Sequence, residues 1–224
     1  MNHMNVTIKR LSLYVVGLFF LSLGVSFSIQ AAFGVSPVSS LAYALALTCG
    51  LSVGMMTIVA NVLYIIIQVI LSKRFDLKES VVQLIITFLF GFFMDATLFL
   101  VQLLPTPETF AMRIIFLVVS LFIVSIGLLG YFNAKFPLMP YDALTYEISK
   151  KFKMKFSKAK ISCDLINVCV AGLVCIIFIH SLGSIGIGTL VAAYFIGKIL
   201  GWLMSRFQKY LVRWIDKNKE EITI

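Results

Sequence analysis

The chain has 224 residues, of which 60% are hydrophobic and only 13% are charged, and its mean hydropathy is +1.01. A soluble domain carries about twice that charged fraction. Because one core of this size could not bury so much apolar surface, the composition excludes an ordinary soluble protein. The formal net charge is +9, yet 17 of the 19 Lys and Arg residues lie in or directly beside one alternate set of the segments between the apolar stretches. This pattern is typical of basic membrane loops, so the lipid bilayer is the expected partner and nucleic acid is not.

The first apolar stretch follows Lys9 and Arg10 directly. It is about 20 residues long, which exceeds the apolar region of a cleaved signal peptide, so we expect it to stay as a membrane span. Runs of this length occur six times, and a run of about 20 residues crosses the ~30 Å hydrocarbon layer. The predicted spans are Leu11–Ala32, Ser52–Ser72, Val81–Leu104, Met112–Ala134, Ala159–Ser181 and Thr189–Phe207.

The distribution of basic residues predicts the orientation of these spans. The N-terminal segment, the second and fourth connections and the C-terminal segment hold the 17 basic residues. The opposite connections hold only Arg113, and Lys198 lies inside a span. The positive-inside rule therefore places both termini in the cytoplasm of a bacterial cell. Residues 208–224 form the cytoplasmic tail, whose apolar and basic residues alternate at helical spacing. This tail is either an amphipathic interfacial helix or a solvated one.

The sequence resembles itself when it is shifted by 103 residues. The shift places Pro37 on Pro140, Tyr43 on Tyr146 and the pair Leu23–Gly24 on Ile126–Gly127. Residues 11–104 and 112–207 thus form two repeats of three spans within one membrane domain, 1–224. Because three is an odd number, the second repeat is inverted in the bilayer, an arrangement typical of secondary transporters. Chance similarity between apolar helices is the alternative explanation.

Each repeat also contains a short segment that is not a span. The motif GVSPVSS (34–40) follows the first span, and PLMPYDA (137–143) follows the fourth. Proline at a helix-opening position, with Ser36 as a candidate N-cap, predicts a helix too short to cross the bilayer. Such half-helices either enter the membrane, where their N-termini suit an anion, or lie at its surface. The lysines after the second one favour the surface.

Charged residues inside the spans are costly and need a partner or a function. Asp95 and Lys198 occupy equivalent positions of the two repeats, near the middle of their spans. The twofold relation would bring them together, so the sequence predicts an ion pair. This pair would orient two helices, or it would act directly in the coupling of a substrate or proton.

A second polar group follows from helical spacing. Thr57, Asn61, Tyr64 and Gln68 share one face of the second span, and Asp164 and Asn167 stand at the equivalents of Asn61 and Tyr64. Lipid cannot satisfy their hydrogen bonds, so both faces should point into the bundle, as helix-packing contacts or as a cavity lining. A lone carboxylate such as Asp164 must be protonated, paired with lysine or hydrated.

Four segments resemble the YczE/YyaS/YitT group of bacterial integral membrane proteins, in a branch of unknown function. They are the stretch from Gly17 through GVSPVSS, then LFGFFMDATLF, PYDALTYEISKK and GIGTLVAAYFIGKILGWL. The commoner form of the first motif ends in WD where Val38 and Ser39 stand here, and the sixth span commonly has IGP where Lys198 stands. The resemblance implies a membrane location and a fold, but no activity.

The sequence favours a secondary transporter or exporter of a small solute, anionic solutes included. The hypothetical substrate-binding residues are Ser36, Ser39, Asn61, Tyr64, Asp95, Asp142, Asp164, Asn167 and Lys198. A substrate-binding subunit of a larger transport complex and a non-transporting accessory protein are the alternatives, and a second copy or a partner subunit is compatible with both. No HExxH, GxSxG or clustered Cys/His motif is present, so we expect no enzyme activity, metal or cofactor.

Overall fold

A computed structural model describes residues 3–74 and 76–215, and the regular structure of this part of the chain is helical throughout. All of its helices except α2 and α6 are long and apolar enough to cross a membrane, and these six coincide with the six predicted spans. The protein is therefore a multi-pass membrane protein. The helices are α1 (His3–Ala31), α2 (Pro37–Cys49), α3 (Val53–Ser72), α4 (Leu77–Gln102), α5 (Phe110–Asn133), α6 (Pro140–Lys151), α7 (Phe156–Ile179) and α8 (Ile187–Ile215).

Polar side chains at the helix starts explain why α3, α4 and α5 begin where they do. The hydroxyl of Ser52 accepts the Met55 N–H, and the carboxylate of Asp76 accepts two N–H groups of the first turn of α4. Thr109 accepts the N–H of Met112 in the same way. Each of these bonds satisfies a backbone donor that the helix itself leaves free.

The antiparallel pair α1 and α5 forms the centre of the molecule. Tyr14 contacts Tyr131 near one end of the pair, and Phe27 contacts Phe116 near the other. Glycines let the two backbones approach closely: a Cβ at Gly127 would lie 2.5 Å from the backbone nitrogen of Leu21. Close backbone approach at small residues is the usual way in which membrane helices associate, because the hydrophobic effect supplies little attraction between them in lipid.

The other helices surround this pair in two sets. In the first helix set, α4 packs on α1, and α8 packs on α5. In the second helix set, α2 packs on α3 and α7, and α6 packs on α3 and α7. The two sets share a contact between α3 and α4, whereas α7 and α8 make little or no contact with each other.

The short helices α2 and α6 begin inside the protein beside the middle of longer helices. The backbone carbonyl of Pro37, the first residue of α2, accepts a 2.6 Å hydrogen bond from Asn167, which lies half-way along α7. Tyr141 in the first turn of α6 stacks at 5.2 Å on Tyr64 of α3. The first turn of α6 is buried within the protein, while the choice between a position in the membrane and one at its surface stays a prediction. The predicted short helices themselves are confirmed.

The C-terminal part of the chain differs from its prediction. The helix α8 continues without a break to Ile215, so the beginning of the predicted tail is the last part of a membrane helix rather than a separate element. The side chain of Lys9 donates to the backbone carbonyl of Trp214 at 2.8 Å, which ties this end of α8 to α1. The rest of the predicted tail, 216–224, lies outside the described residues.

The packing of α1 on α5 predicts a large difference between two Gly→Ala substitutions. Gly127→Ala places its Cβ against the backbone of α1, whereas a Cβ at Gly197 meets nothing within 4 Å. Overpacking at such a contact costs about 1–3 kcal/mol, while Ala in an exposed helix is favoured over Gly by up to about 1 kcal/mol. We expect the melting temperature in detergent to fall for Gly127→Ala and to stay or rise for Gly197→Ala. Equal melting temperatures would contradict the close α1–α5 contact.

Candidate functional site

Three ionisable side chains meet where α6 packs on α7. Lys160 donates to Asp142 at 3.0 Å, and its ammonium lies 3.7 Å from Asp164, one helical turn further along α7. Asp142 is in the first turn of α6. Their side chains are 27% (Lys160), 11% (Asp142) and 24% (Asp164) exposed. One lysine therefore serves two carboxylates that are mostly removed from solvent.

Two tyrosines complete the hydrogen bonding of these carboxylates. The hydroxyl of Tyr131 donates to Asp142 at 3.2 Å and accepts the backbone N–H of Met139 at 2.8 Å, directly before α6. The hydroxyl of Tyr141 donates to Asp164. Burial, followed by the effect of the Asp164 carboxylate, raises the pKa of Tyr141. Tyr141 is therefore a protonated phenol that acts as a donor.

The network continues from α6 to α3, α7 and α2. Tyr64 packs on Tyr141 and donates to the side-chain oxygen of Asn167 at 2.7 Å. The amide nitrogen of Asn167 donates to the carbonyls of Pro37 and Val38 at 2.6 and 3.2 Å. A carbonyl oxygen has two lone pairs, so these first-turn carbonyls can accept from Asn167 in addition to a helix N–H. A single amide thus joins the start of α2 to the middle of the second helix set.

Ser36, Ser39 and Asn61 lie near this network but make local bonds. The side chain of Ser36 does not accept a helix N–H as an N-cap would; its hydroxyl contacts that of Ser39 at 3.4 Å. Asn61 is buried and donates to the carbonyl of Thr57 in its own helix. The predicted inward orientation of this face is confirmed, because Thr57, Asn61, Tyr64 and Gln68 are all buried.

The predicted ion pair between Asp95 and Lys198 does not form. Asp95 accepts from the Ser52 hydroxyl at 2.7 Å and from the Gly54 N–H at 2.6 Å, so it binds the start of α3. The ammonium of Lys198 instead contacts the ring and hydroxyl of Tyr194 on an exposed part of α8. The two side chains therefore bind different partners on different helices. Neither belongs to the network.

Sequence reasoning thus found Tyr64, Asp142, Asp164 and Asn167, which the structure brings together, but it missed Tyr131, Tyr141 and Lys160. Lys160 was counted among the loop charges because it lies close to the start of α7. Its spacing of four residues from Asp164 was the available signal, since residues four apart on a helix are neighbours.

A cavity of about 570 Å³ opens beside the network, at the end of the molecule where α3 meets α4 and α6 meets α7. We call this the lysine-rich end. Gln68, one helical turn from Tyr64, lines the cavity and donates to Glu79 at 3.2 Å. The side chain of the buried Gln83 donates to both Gln68 and Glu79. The lining also includes Arg74, Lys73, Lys150 and Lys151.

The arrangement offers hydrogen-bond donors, acceptors and exchangeable protons within an apolar bundle. Within residues 3–74 and 76–215, no three His, Cys, Asp or Glu side chains form a group that could hold a metal ion. A chain of polar groups between helices suits the recognition of a small polar solute, the exchange of protons, or both.

Lys160 should be essential for stability in a way that a neighbouring lysine is not. Lys160→Met leaves two carboxylates without their cation, and hydrogen bonds to charged groups contribute about 1.5–3 kcal/mol each. We expect a clear loss of melting temperature, whereas the same change at the exposed Lys158 should have little effect. The triple variant with Asp142→Asn and Asp164→Asn should recover part of the loss. If Lys160→Met and Lys158→Met have the same melting temperature, Lys160 does not hold the network.

The comparisons with known proteins are consistent with this picture and name no activity. The chain is 29% identical over 209 residues to "Uncharacterized protein YyaS" of Bacillus subtilis (strain 168), an alignment that covers 92% of this chain and 96% of that protein. No solved structure matches the chain significantly. A family model described as "Family of unknown function (DUF6198)" matches residues 8–205, and the chain therefore belongs to that family.

Proposed function

We propose that the protein is a secondary transporter of a small solute, built from two inverted repeats in the bacterial cell membrane with both termini in the cytoplasm. The observation that carries the proposal is a difference between the repeats. The last two helices of the first repeat, α3 and α4, are packed together, while their equivalents α7 and α8 make little or no contact. Two copies of one unit in different states are what alternating access requires.

The contacts between α1 and α5 support the repeat. A Cβ at Gly24 would approach the backbone nitrogen of Val124, and one at Gly127 would approach that of Leu21. A shift of 103 residues converts Gly24 into Gly127 and Leu21 into Val124, so it exchanges these two contacts. Because the helices are antiparallel, a twofold axis that exchanges them is perpendicular to both. Such an axis lies in the membrane plane, as in inverted-topology transporters.

The second helix set supports the same relation. Tyr64 and Asn167 differ by 103 positions and are hydrogen-bonded to each other, as expected of equivalent residues close to an axis. The partners of the helices also exchange: α2 packs on α7 as α6 packs on α3, and α2 packs on α3 as α6 packs on α7. The two short helices consequently start on opposite sides of one central point.

The exception to this symmetry defines the proposed state. Between α3 and α4, Asp95 binds Ser52 and Gly54, and Gly54 lies against the carbonyl of Gly91. The equivalents in the second repeat are Lys198, Lys155, Ser157 and Tyr194, and none of the contacts of the first repeat recurs among them. A tyrosine at the position of a close-packing glycine disfavours a tight contact between α7 and α8.

In the proposed state, α7 and α8 separate toward the lysine-rich end. At the other end, the connecting loop holds them together, since Ile185 would lie 3.1 Å from a Cβ at Gly172. The loop also binds the segment before α2 through the Val35–Ser184 and Gly188–Phe33 backbone hydrogen bonds. With the lysine-rich end in the cytoplasm, this conformation is open inward and closed outward by α3 and α4.

The solute would bind between the short helices, next to Tyr64 and Asn167. The start of α2 offers the Ser36 and Ser39 hydroxyls there. The start of α6 carries Asp142 and favours a positive or protonated group. This polarity suits small polar or zwitterionic solutes, with an anionic group directed to α2, because a helix N-terminus favours negative charge.

Disulfide trapping tests the proposed exchange of states. In a variant without the native cysteines, the pair Ser52→Cys with Asp95→Cys should cross-link rapidly, because its parent side chains are 2.7 Å apart. The equivalent pair, Lys155→Cys with Lys198→Cys, should cross-link slowly, because its two cysteines meet only when the protein visits the outward-open state. An off-register pair, Lys155→Cys with Ser205→Cys, serves as the control. Absence of any cross-link between positions 155 and 198 would oppose alternating access.

Transport itself is measured with the Ser52→Cys, Asp95→Cys variant, whose oxidised form is the control for its reduced form. Proteoliposomes that hold the Ser52→Cys, Asp95→Cys protein are given a panel of small carboxylates, amino acids and amines, and uptake or current is recorded. Reduced protein should transport at least one class, and oxidation should abolish that signal reversibly because the outward gate cannot open. If no class gives a signal that depends on reduction, the transporter proposal fails.

A further inference from the structure

The ionisable residues of the network have uncharged counterparts in the first repeat. At the shift of 103 residues, Lys160 corresponds to Thr57, and Asp164 corresponds to Asn61. Thr57 and Asn61 are satisfied within α3, since they donate to the carbonyls of Val53 and Thr57. The fold of the repeat therefore does not need charges at these positions. Their presence in one repeat alone points to a function.

The charges of the network do not balance. Asp142 and Asp164 share Lys160, and no other ion pair of the described residues reaches either carboxylate. The remaining titratable groups that face them are neutral acids: Tyr131 of α5, Tyr14 of α1, Tyr64 of α3, and Tyr141 and Cys163 nearby. Two ionised carboxylates and one ammonium leave an excess negative charge, which is costly in an apolar bundle.

We propose that Asp164 is the binding site of a transported proton, an inference that rests on the proposed transport function and names its coupling ion. Asp164 takes a proton from water to become a carboxylic acid, and Lys160 then pairs with Asp142 alone. The distances favour this division, because Lys160 lies 3.0 Å from Asp142 but 3.7 Å from Asp164. Asp164 is partly exposed, so a proton can reach it.

A proton fits the site better than a metal cation. The groups around the carboxylates are the hydroxyls of Tyr131 and Tyr141 and the ammonium of Lys160, which donate hydrogen bonds. A metal ion needs several oxygen acceptors instead, and within the described ranges of the chain no acidic group of three is available.

The position of Asp164 explains how its protonation would affect transport. Asp164 is bound by Tyr141, whose ring packs on Tyr64, and Tyr64 binds Asn167, which holds the start of α2. The proton-binding site thus belongs entirely to the second helix set. Protonation makes this network neutral, and a neutral network is easier to move through the apolar layer than a charged one.

Infrared difference spectroscopy on the full-length protein in nanodiscs tests the proposal without knowledge of the solute. A pH titration should show the carbonyl band of one protonated carboxylic acid that disappears near neutral or alkaline pH. Asp164→Asn should remove this band. Asp76→Asn, at an exposed helix cap, should keep it. Lys160→Met should shift the midpoint of this pH titration toward alkaline pH, by at least a tenfold change in proton concentration. The reason is that the variant lacks the cation that favours the carboxylate.

The outcomes separate this proposal from the transporter proposal. The proton site is overturned if the band persists in Asp164→Asn, or if Na⁺ removes the band as alkaline pH does. Either result leaves the transporter proposal standing, because transport is measured separately. If the band behaves as expected but the proteoliposomes show no transport that depends on reduction, only the transporter proposal is overturned. If Asp164→Asn does not fold, the shift in Lys160→Met decides, and an unmoved midpoint there contradicts the proposal.

Discussion

Two helices that begin in the interior of an apolar bundle impose the constraint on which the rest of the structure depends. Backbone polar groups cannot be left without partners where water is absent. Tyr131 accepts the N–H of Met139, directly before α6. At α2, Asn167 donates to the first-turn carbonyls of Pro37 and Val38, because a carbonyl oxygen can accept a second hydrogen bond beside the one within the helix. Each interior helix start is therefore held by a polar side chain on a neighbouring helix. The network between α2, α3, α6 and α7 grows from these two contacts.

The two starts meet the constraint in different ways. Asn167 is neutral and is held by Tyr64, so the site around α2 is uncharged. Tyr131 binds Asp142 as well as the backbone, and Asp142 in turn attracts Lys160 and, through it, Asp164. The contact at the start of α6 thus extends into an ionisable group, whereas the contact at the start of α2 does not. If the two halves are the inverted repeats that we propose, the chemistry lies where they differ.

Much of this architecture could be predicted from the sequence, because the signals are local. The length and hydropathy of the apolar runs predict the spans, and Pro37 and Pro140 predict the two short helices. The spacing of Thr57, Asn61, Tyr64 and Gln68 predicts a buried polar face. Depth is not a local property. The level at which α2 and α6 begin depends on contacts with α3 and α7 that are distant in sequence.

The failure of the Asp95–Lys198 pair has the same origin. A shift of 103 residues pairs positions of the sequence, but it does not give the distance between them in the fold. Tyr64 and Asn167 are hydrogen-bonded, whereas Asp95 binds the start of α3 and Lys198 faces Tyr194. The spacing of Lys160 from Asp164 was a local signal, but the pairing of Lys160 with Asp142 was not, because α6 brings Asp142 to it.

In the proposed transport cycle, the α3–α4 and α7–α8 contacts would be two unequal gates. Between α3 and α4, Gly54 and Gly91 allow close contact and Asp95 binds the first turn of α3. Between α7 and α8, the equivalent surface would oppose Tyr194 to Ser157 and Lys198 to Lys155. Bringing two like charges together is unfavourable, so closure of α7 on α8 is intrinsically weaker. A transporter must nevertheless visit both states, whose free energies can differ by only a few kcal/mol. Ligands that bind one state preferentially must then supply the difference, and neutralisation of the buried network is a source that acts on the moving helices themselves.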